Sequence, residues 1–433
     1  MHARRFGLGG LDEVLIDALL HDRQYDPQCE CGRFAWLLDL IARDPIGERV
    51  LDAVIPRLGE PTENFWDATQ RCAVAQLLAA RGRADARTAL YQCLRICKDS
   101  SDVIGPSEII ELDGADGLLR VASFLGALND TDRERCADNS PIRWYDEAHG
   151  EGAARRILEH AAVHSKEVAA YLRAIEPEGT GNEQSEPTRD RGYLNVNNVQ
   201  FQAQARESHA DKMRRISARD VIESVRTESG PWACIWLISW GGYAAVADLR
   251  TIRDELSREE DPERIQRYLR PFTHGVLPEL DPCFLRLANH EDTRVRDLAQ
   301  RAASHYAHPD VRKLALDRLS AGQFVHSEVL LLKKNFQAGD AALLMGALRP
   351  DVDIHDLHGV GHDLLKVFST NKTPECLEPM LFLYEHTPCS NCREDAVEIM
   401  MSTNTAPAWV LDECRFDCAS SLRSRVGGGS PPD

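Results

Sequence analysis

The chain has 433 residues, 43% hydrophobic and 28% charged, enough to bury two or three ordinary cores or one extended array. Its 51 Lys and Arg stand against 69 Asp and Glu, and a formal net charge of −18 opposes a surface that tracks nucleic-acid phosphates. Thirteen cysteines, an odd set scattered along the chain without an N-terminal apolar segment of signal-peptide type, read as reduced thiols, so a cytoplasmic location is expected.

Helical periodicity begins early. Residues 11–20, LDEVLIDALL, and 34–41, FAWLLDLI, are amphipathic, and 66–80, WDATQRCAVAQLLAA, keeps helical spacing up to Gly82. The same period predicts helices over 86–97, 113–128 and a longer one over 151–175, the last carrying His160 and His164 as surface residues. Residues 176–198 break the pattern: they are rich in Glu, Gly, Pro, Asn and Ser and poor in core anchors, which describes a flexible linker. Residues 1–175 are therefore expected to form an N-terminal helical array, 199–425 a C-terminal one and 426–433 a disordered tail.

Beyond the linker the period returns over 218–270. The longest apolar run, WACIWLISWGGYAAVA at 232–247, is too short to span a membrane and is interrupted by Gly241 and Gly242, so it reads as a buried helix. Two nearly identical phrases follow: DTRVRDLAQ at 292–300 and PDVRKLALD at 309–317. Val295, Leu298 and Ala299, like Val311, Leu314 and Ala315, have the spacing of one apolar helix face. Asp292 and Asp310 are placed to cap their helices, with Pro309 suited to the helix entry, and so short a separation predicts an antiparallel hairpin. DAALLMGAL at 340–348 opens on a third Asp, and DCASSLR at 417–423 repeats the phrase weakly after a helix containing Trp409, Val410 and Leu411.

The D-x-x-V-R-x-x-A form at 292–299 resembles the second-helix signature of HEAT repeats, with the good match confined to about 287–320. The resemblance implies an all-α fold, an α-solenoid of antiparallel helical hairpins in two arrays. It also implies a ladder in which the Asp and Arg of each phrase tie adjacent repeats together: Asp292 with Arg296, and Asp310 with Arg312, although the second copy lacks the two-residue spacer. An Arg beside a core Val more often covers apolar surface with its stem and pairs with a neighbouring carboxylate than recognises a partner.

Two clusters carry metal-ligand chemistry. Cys389 and Cys392 have C-x-x-C spacing, and Cys414 and Cys418 lie four apart; together they could supply four thiolates to one structural zinc ion, against the alternative of buried core thiols. The other cysteines, including Cys29 with Cys31 and Cys93 with Cys97, read as core or loop thiols. In HDLHGVGHD, His355, His358 and His362 lie close to Asp356 and Asp363, but Gly359 and Gly361 oppose a helix, so a capped turn is expected there. Without a Walker motif, nucleophile elbow, dinucleotide fingerprint or kinase set, no catalytic residue is assigned. A non-catalytic scaffold for protein partners is the expected function, without a required cofactor, nucleic acid or membrane. The alternatives are a helical-repeat enzyme resembling the phycobilin lyases or HEAT-like DNA glycosylases, and a zinc-stabilised regulatory module at the C-terminal end.

Overall fold

The computed structural model describes residues 7–30, 32–98, 102–129, 131–132, 139–175, 208–230, 232–321, 327–349 and 351–427. The expected linker at 176–198, residues 428–433 of the expected tail, and Cys31 lie outside the described residues. Among those described are 24 α-helices and one antiparallel pair of two-residue strands, Arg95–Ile96 against Val103–Ile104, so the protein is mainly helical and all-α in class. No helix of the described residues is long and apolar enough to cross a membrane. The chain divides into two compact units: Met1–Tyr193 with Phe416–Ser420, and Leu194–Arg415 with Ser421–Asp433.

The first unit is built on one continuous apolar core. Leu19, Leu20, Ile41, Val50, Leu58, Cys72, Val74, Leu90, Ile109, Leu118 and Val121 are all withdrawn from water within it. Helix Phe65–Ala80 starts where Asn64 accepts from the amides of Trp66 and Asp67, satisfying two donors that the first turn would leave unpaired. Helix Ala84–Cys93 is shorter than expected, because Leu94 turns into extended backbone and the next two residues enter the small strand pair. Helix Pro106–Gly126 kinks at Gly114. The expected long helix over 151–175 is two helices, Ala153–Ala162 and Lys166–Ile175, and Ser165 Oγ accepts from Val168 N at the start of the second.

The second unit stacks its helices in a more regular order. Over its C-terminal half, each helix packs on the next but one: Thr293–Ala303 on Ser327–Leu330, that on Ile354–Asn371, and that on Ser390–Ser402. Between them runs a second series, Pro309–Ser320 on Asp340–Ala347 on Leu377–His386. Sequential helices pair as well, Pro282–Leu287 with Thr293–Ala303 and Leu377–His386 with Ser390–Ser402 among them.

Three local expectations are corrected. The apolar run is not one helix: Leu237–Tyr243 is α-helical and the run's last two residues open the separate helix Val246–Arg258; Trp240 is fully buried and donates to Ile216 O at 3.0 Å, whereas Trp232 is 74% exposed. A Cβ at Gly241 would stand 1.9 Å from Pro271 O, so the residue that interrupts the apolar run permits a close backbone crossing. His308, not Asp310, caps Pro309–Ser320, its Nδ1 accepting from Asp310 N at 3.2 Å, because proline occupies the first helical position and moves the Asp one place inside. Asp340 is likewise the first helical residue, after Gly339 at the cap.

Candidate functional site

Helix Ile354–Asn371 runs for 18 residues straight through Gly359 and Gly361, contrary to the expected capped turn. Tertiary packing outweighs glycine's low helix propensity here: a Cβ at Gly361 would meet Leu383 Cδ2 at 2.8 Å, so the missing side chain lets Leu377–His386 approach. Asp353 caps the helix, accepting from His355 N at 2.8 Å. Continuous winding then places His358 and His362 one turn apart on the same face, their rings stacked with centroids 6.4 Å apart.

That face belongs to a row of charged and ligating groups along the series of stacked helices. At one end Asp297 pairs with Arg301 at 3.0 Å and accepts from Ser327 Oγ. The buried Gln300 donates to Glu328 Oε1 at 3.3 Å. Arg301 reaches past the four-residue helix Ser327–Leu330 to Asp363, 3.6 Å away, and Lys366 Nζ lies 3.3 Å from the same Asp363 Oδ1. Asp363 is buried, and its Oδ2 has no hydrogen-bond partner. Burial pushes its carboxyl up, against the opposing pull of Arg301 and Lys366. Burial, reinforced by Lys366, His358 and Arg301, pushes His362 down to about 4, so this imidazole is neutral at physiological pH.

At the other end of the row Cys389 and Cys392 meet His358. The ligand atoms of these three residues all lie within 4.8 Å of one another, with both cysteines buried and the histidine half-buried. Cys389 is the N-cap of helix Ser390–Ser402 and Cys392 its third residue. Side chains at those two positions converge over the first turn, the geometry that a capping box uses. Local folding of the C-x-x-C stretch thus presents two sulfurs to one point, and the preceding helix of the same series brings the imidazole.

The other two cysteines of the expected quartet are Cys414 and Cys418. Cys414 is buried at the end of Ala408–Cys414, its Sγ 4.0 Å from Tyr384 Oη. Burial, aided by Cys414 and Glu413, pushes the Tyr384 phenol up, and its hydroxyl donates to Glu413 Oε2 at 3.0 Å. Cys418 Sγ donates to Asp417 Oδ1 at 3.4 Å, within the short segment Phe416–Ser420 that is grouped with the first unit. The described cysteines form no disulfides; Cys93 and Cys97 are buried, and Cys29 is exposed.

The Arg residues of the two phrases have different partners from those the resemblance implied. Arg312 makes two parallel bonds to Asp340, at 2.7 and 3.0 Å, and a third to Asn335 O. Asp310 is exposed, and the pairing carboxylate is the one 28 residues downstream. Arg296 bonds to His290 O and Glu291 O, in the turn before its own helix, while Asp292 caps that helix and accepts from Gln266 Nε2 at 3.4 Å.

No family model matches the chain, no curated protein matches it, and no solved structure matches it.

Sequence reasoning missed two associations. His358 and the C-x-x-C pair were each weighed alone; the available signal was their separation of 31 residues, close to the distance at which other residues of this unit meet. Asp340 carries the local signal of a cap, although it follows Arg312 by 28 residues, a similar interval.

Proposed function

We propose that the chain is a non-catalytic scaffold whose second unit is a HEAT-like α-solenoid and which binds a protein partner along its stacked helices. One observation carries the reading: in the second unit, side-chain bonds recur between residues 26 to 30 apart. Arg226 meets Glu255, Arg253 meets Asp281, Leu277 N meets Tyr306, Gln300 meets Glu328, Arg312 meets Asp340 and Glu394 meets Ser421. A recurring interval of this kind is what a stack gives when each turn repeats the last, and such an array offers a long continuous surface in place of a single cleft. The packing of each helix on the next but one supports the same reading. The excess of acidic residues favours a partner with a basic face, drawn in by long-range attraction.

The test is affinity capture with the full chain from its native cell, followed by reconstitution with the purified partner. The expected result is a stoichiometric complex with a basic protein, weakened by rising salt. Turnover of a small-molecule substrate without any stable protein complex would overturn the scaffold reading in favour of a helical-repeat enzyme.

A further inference from the structure

We propose that His358, Cys389 and Cys392 form a zinc site that clamps two successive helices of the stack. The donors decide the metal. Two thiolates and an imidazole are soft to borderline ligands, the set that zinc takes in preference to calcium or magnesium. Two thiolates also balance the charge of a divalent ion while the imidazole stays neutral, so the filled site places no net charge in a largely buried position.

The geometry is close to closed. Tetrahedral zinc with bonds of about 2.3 Å to sulfur and about 2.0 Å to nitrogen holds its ligand atoms roughly 3.6 to 3.8 Å apart. The three atoms here are already within 4.8 Å, so an ion needs an approach of about 1 Å, within reach of small side-chain torsions. The cysteines sit at the cap and third position of a 13-residue helix, so a single turn presents both sulfurs. His358 comes from the second turn of an 18-residue helix that packs on the first. Both ligand-bearing segments are therefore held by backbone that exists without the metal.

An imidazole among the ligands distinguishes this site from a four-thiolate structural site. The effect of the ion falls on the contact between Ile354–Asn371 and Ser390–Ser402. The site stands on its own geometry, independent of the partner-binding reading.

The experiment uses the full chain, kept reduced, stripped with a chelator and titrated with Co²⁺ alone and then with Zn²⁺. Expected are a sulfur-to-cobalt charge-transfer absorption that saturates at one equivalent, its displacement by Zn²⁺, and a rise in the unfolding midpoint of the second unit that chelator reverses. Cys389→Ser and Cys392→Ser abolish the absorption with the far-UV circular dichroism unchanged, and Cys414→Ser and Cys418→Ser leave it intact. His358→Ala weakens binding by more than the roughly tenfold that loss of an outer-shell partner costs. His358→Cys guards against misreading a damaged fold: it restores binding with a stronger charge-transfer band, because a third sulfur now ligates. The proposal is overturned if the wild-type protein gives no absorption, if the band survives loss of Cys389 and Cys392, or if His358→Cys binds with an unchanged band. Equal loss in Cys414→Ser and Cys418→Ser overturns it in favour of the four-cysteine set.

Discussion

The two units of this chain use the same helices and caps but connect them over different distances. In the first unit, side-chain bonds between distant residues fall at very different separations: 22 residues from Tyr91 to Asp113, 36 from Leu8 to Asp44, 46 from His21 to Asp67, 52 from Gln70 to Ala18, and 380 from Trp36 to Phe416. In the second, bonds between 26 and 30 residues recur from Arg226 to Ser421, beside a few longer reaches such as Arg267 to Val225 at 42. Irregular spacing ties many helices to one shared core, as the continuous apolar cluster of the first unit does. Regular spacing ties each helix to its neighbours in the stack, so a single cut is felt locally.

Mutations that remove one tie should separate these behaviours, the largest effect first. Asp340→Ala leaves the Arg312 guanidinium without its two-pronged partner and strips the cap from Gln337 N; it should cost the second unit about 3 to 5 kcal/mol in denaturant unfolding and leave the first unit's transition in place. Leu314→Ala, at a site 9% exposed, should cost about 2 to 3 kcal/mol, again in the second unit alone. Leu298 has the same place in its phrase but is only half-buried, so the corresponding change should cost less than that at Leu314. In the first unit, Asn64→Ala removes a helix cap and should lower the midpoint of that unit's transition by the equivalent of about 1 kcal/mol.

The smallest effect is on pH dependence. Asp363 is held above its ordinary value of 3.8, so the folded state keeps this proton more tightly than the unfolded state does. Stability from this group is fully present below 3.8 and is lost as pH rises through the raised folded value. Asp363→Asn should flatten that part of the stability curve, a slope of at most about 1.4 kcal/mol per pH unit. Arg301, Lys366, Asp297 and the neutral His362 stay in place around it. An unchanged slope in the variant would mean that Asp363 does not titrate in this window.

Much of the helical content was legible because apolar spacing in stretches such as LDEVLIDALL leaves few alternatives. Asp292 announces its helix and acts as its cap. What stayed hidden was decided by contacts between segments. Gly359 and Gly361 argue locally against a helix, yet the room Gly361 leaves for Leu383 keeps the helix whole. Asp340 gives the signal of a cap, and only the stack shows its carboxylate against Arg312. The metal-ligating group was half legible: C-x-x-C declares itself, but the third donor comes from a different helix, and no local pattern selects His358 over His355 or His362.

Under the proposed reading, the second unit is a stack of locally coupled repeats, whereas the first is built on one shared core. Native-state hydrogen exchange of the full chain, followed by mass spectrometry at increasing sub-denaturing urea, tests it most directly. The account predicts that first-unit helices open together at one free energy, while Thr293–Ala303, Ile354–Asn371 and Ser390–Ser402 open in graded steps of neighbouring pairs, with the Asp340→Ala variant lowering only the steps beside it. Exchange of the whole second unit in one cooperative step, shifted uniformly by that variant, would contradict it.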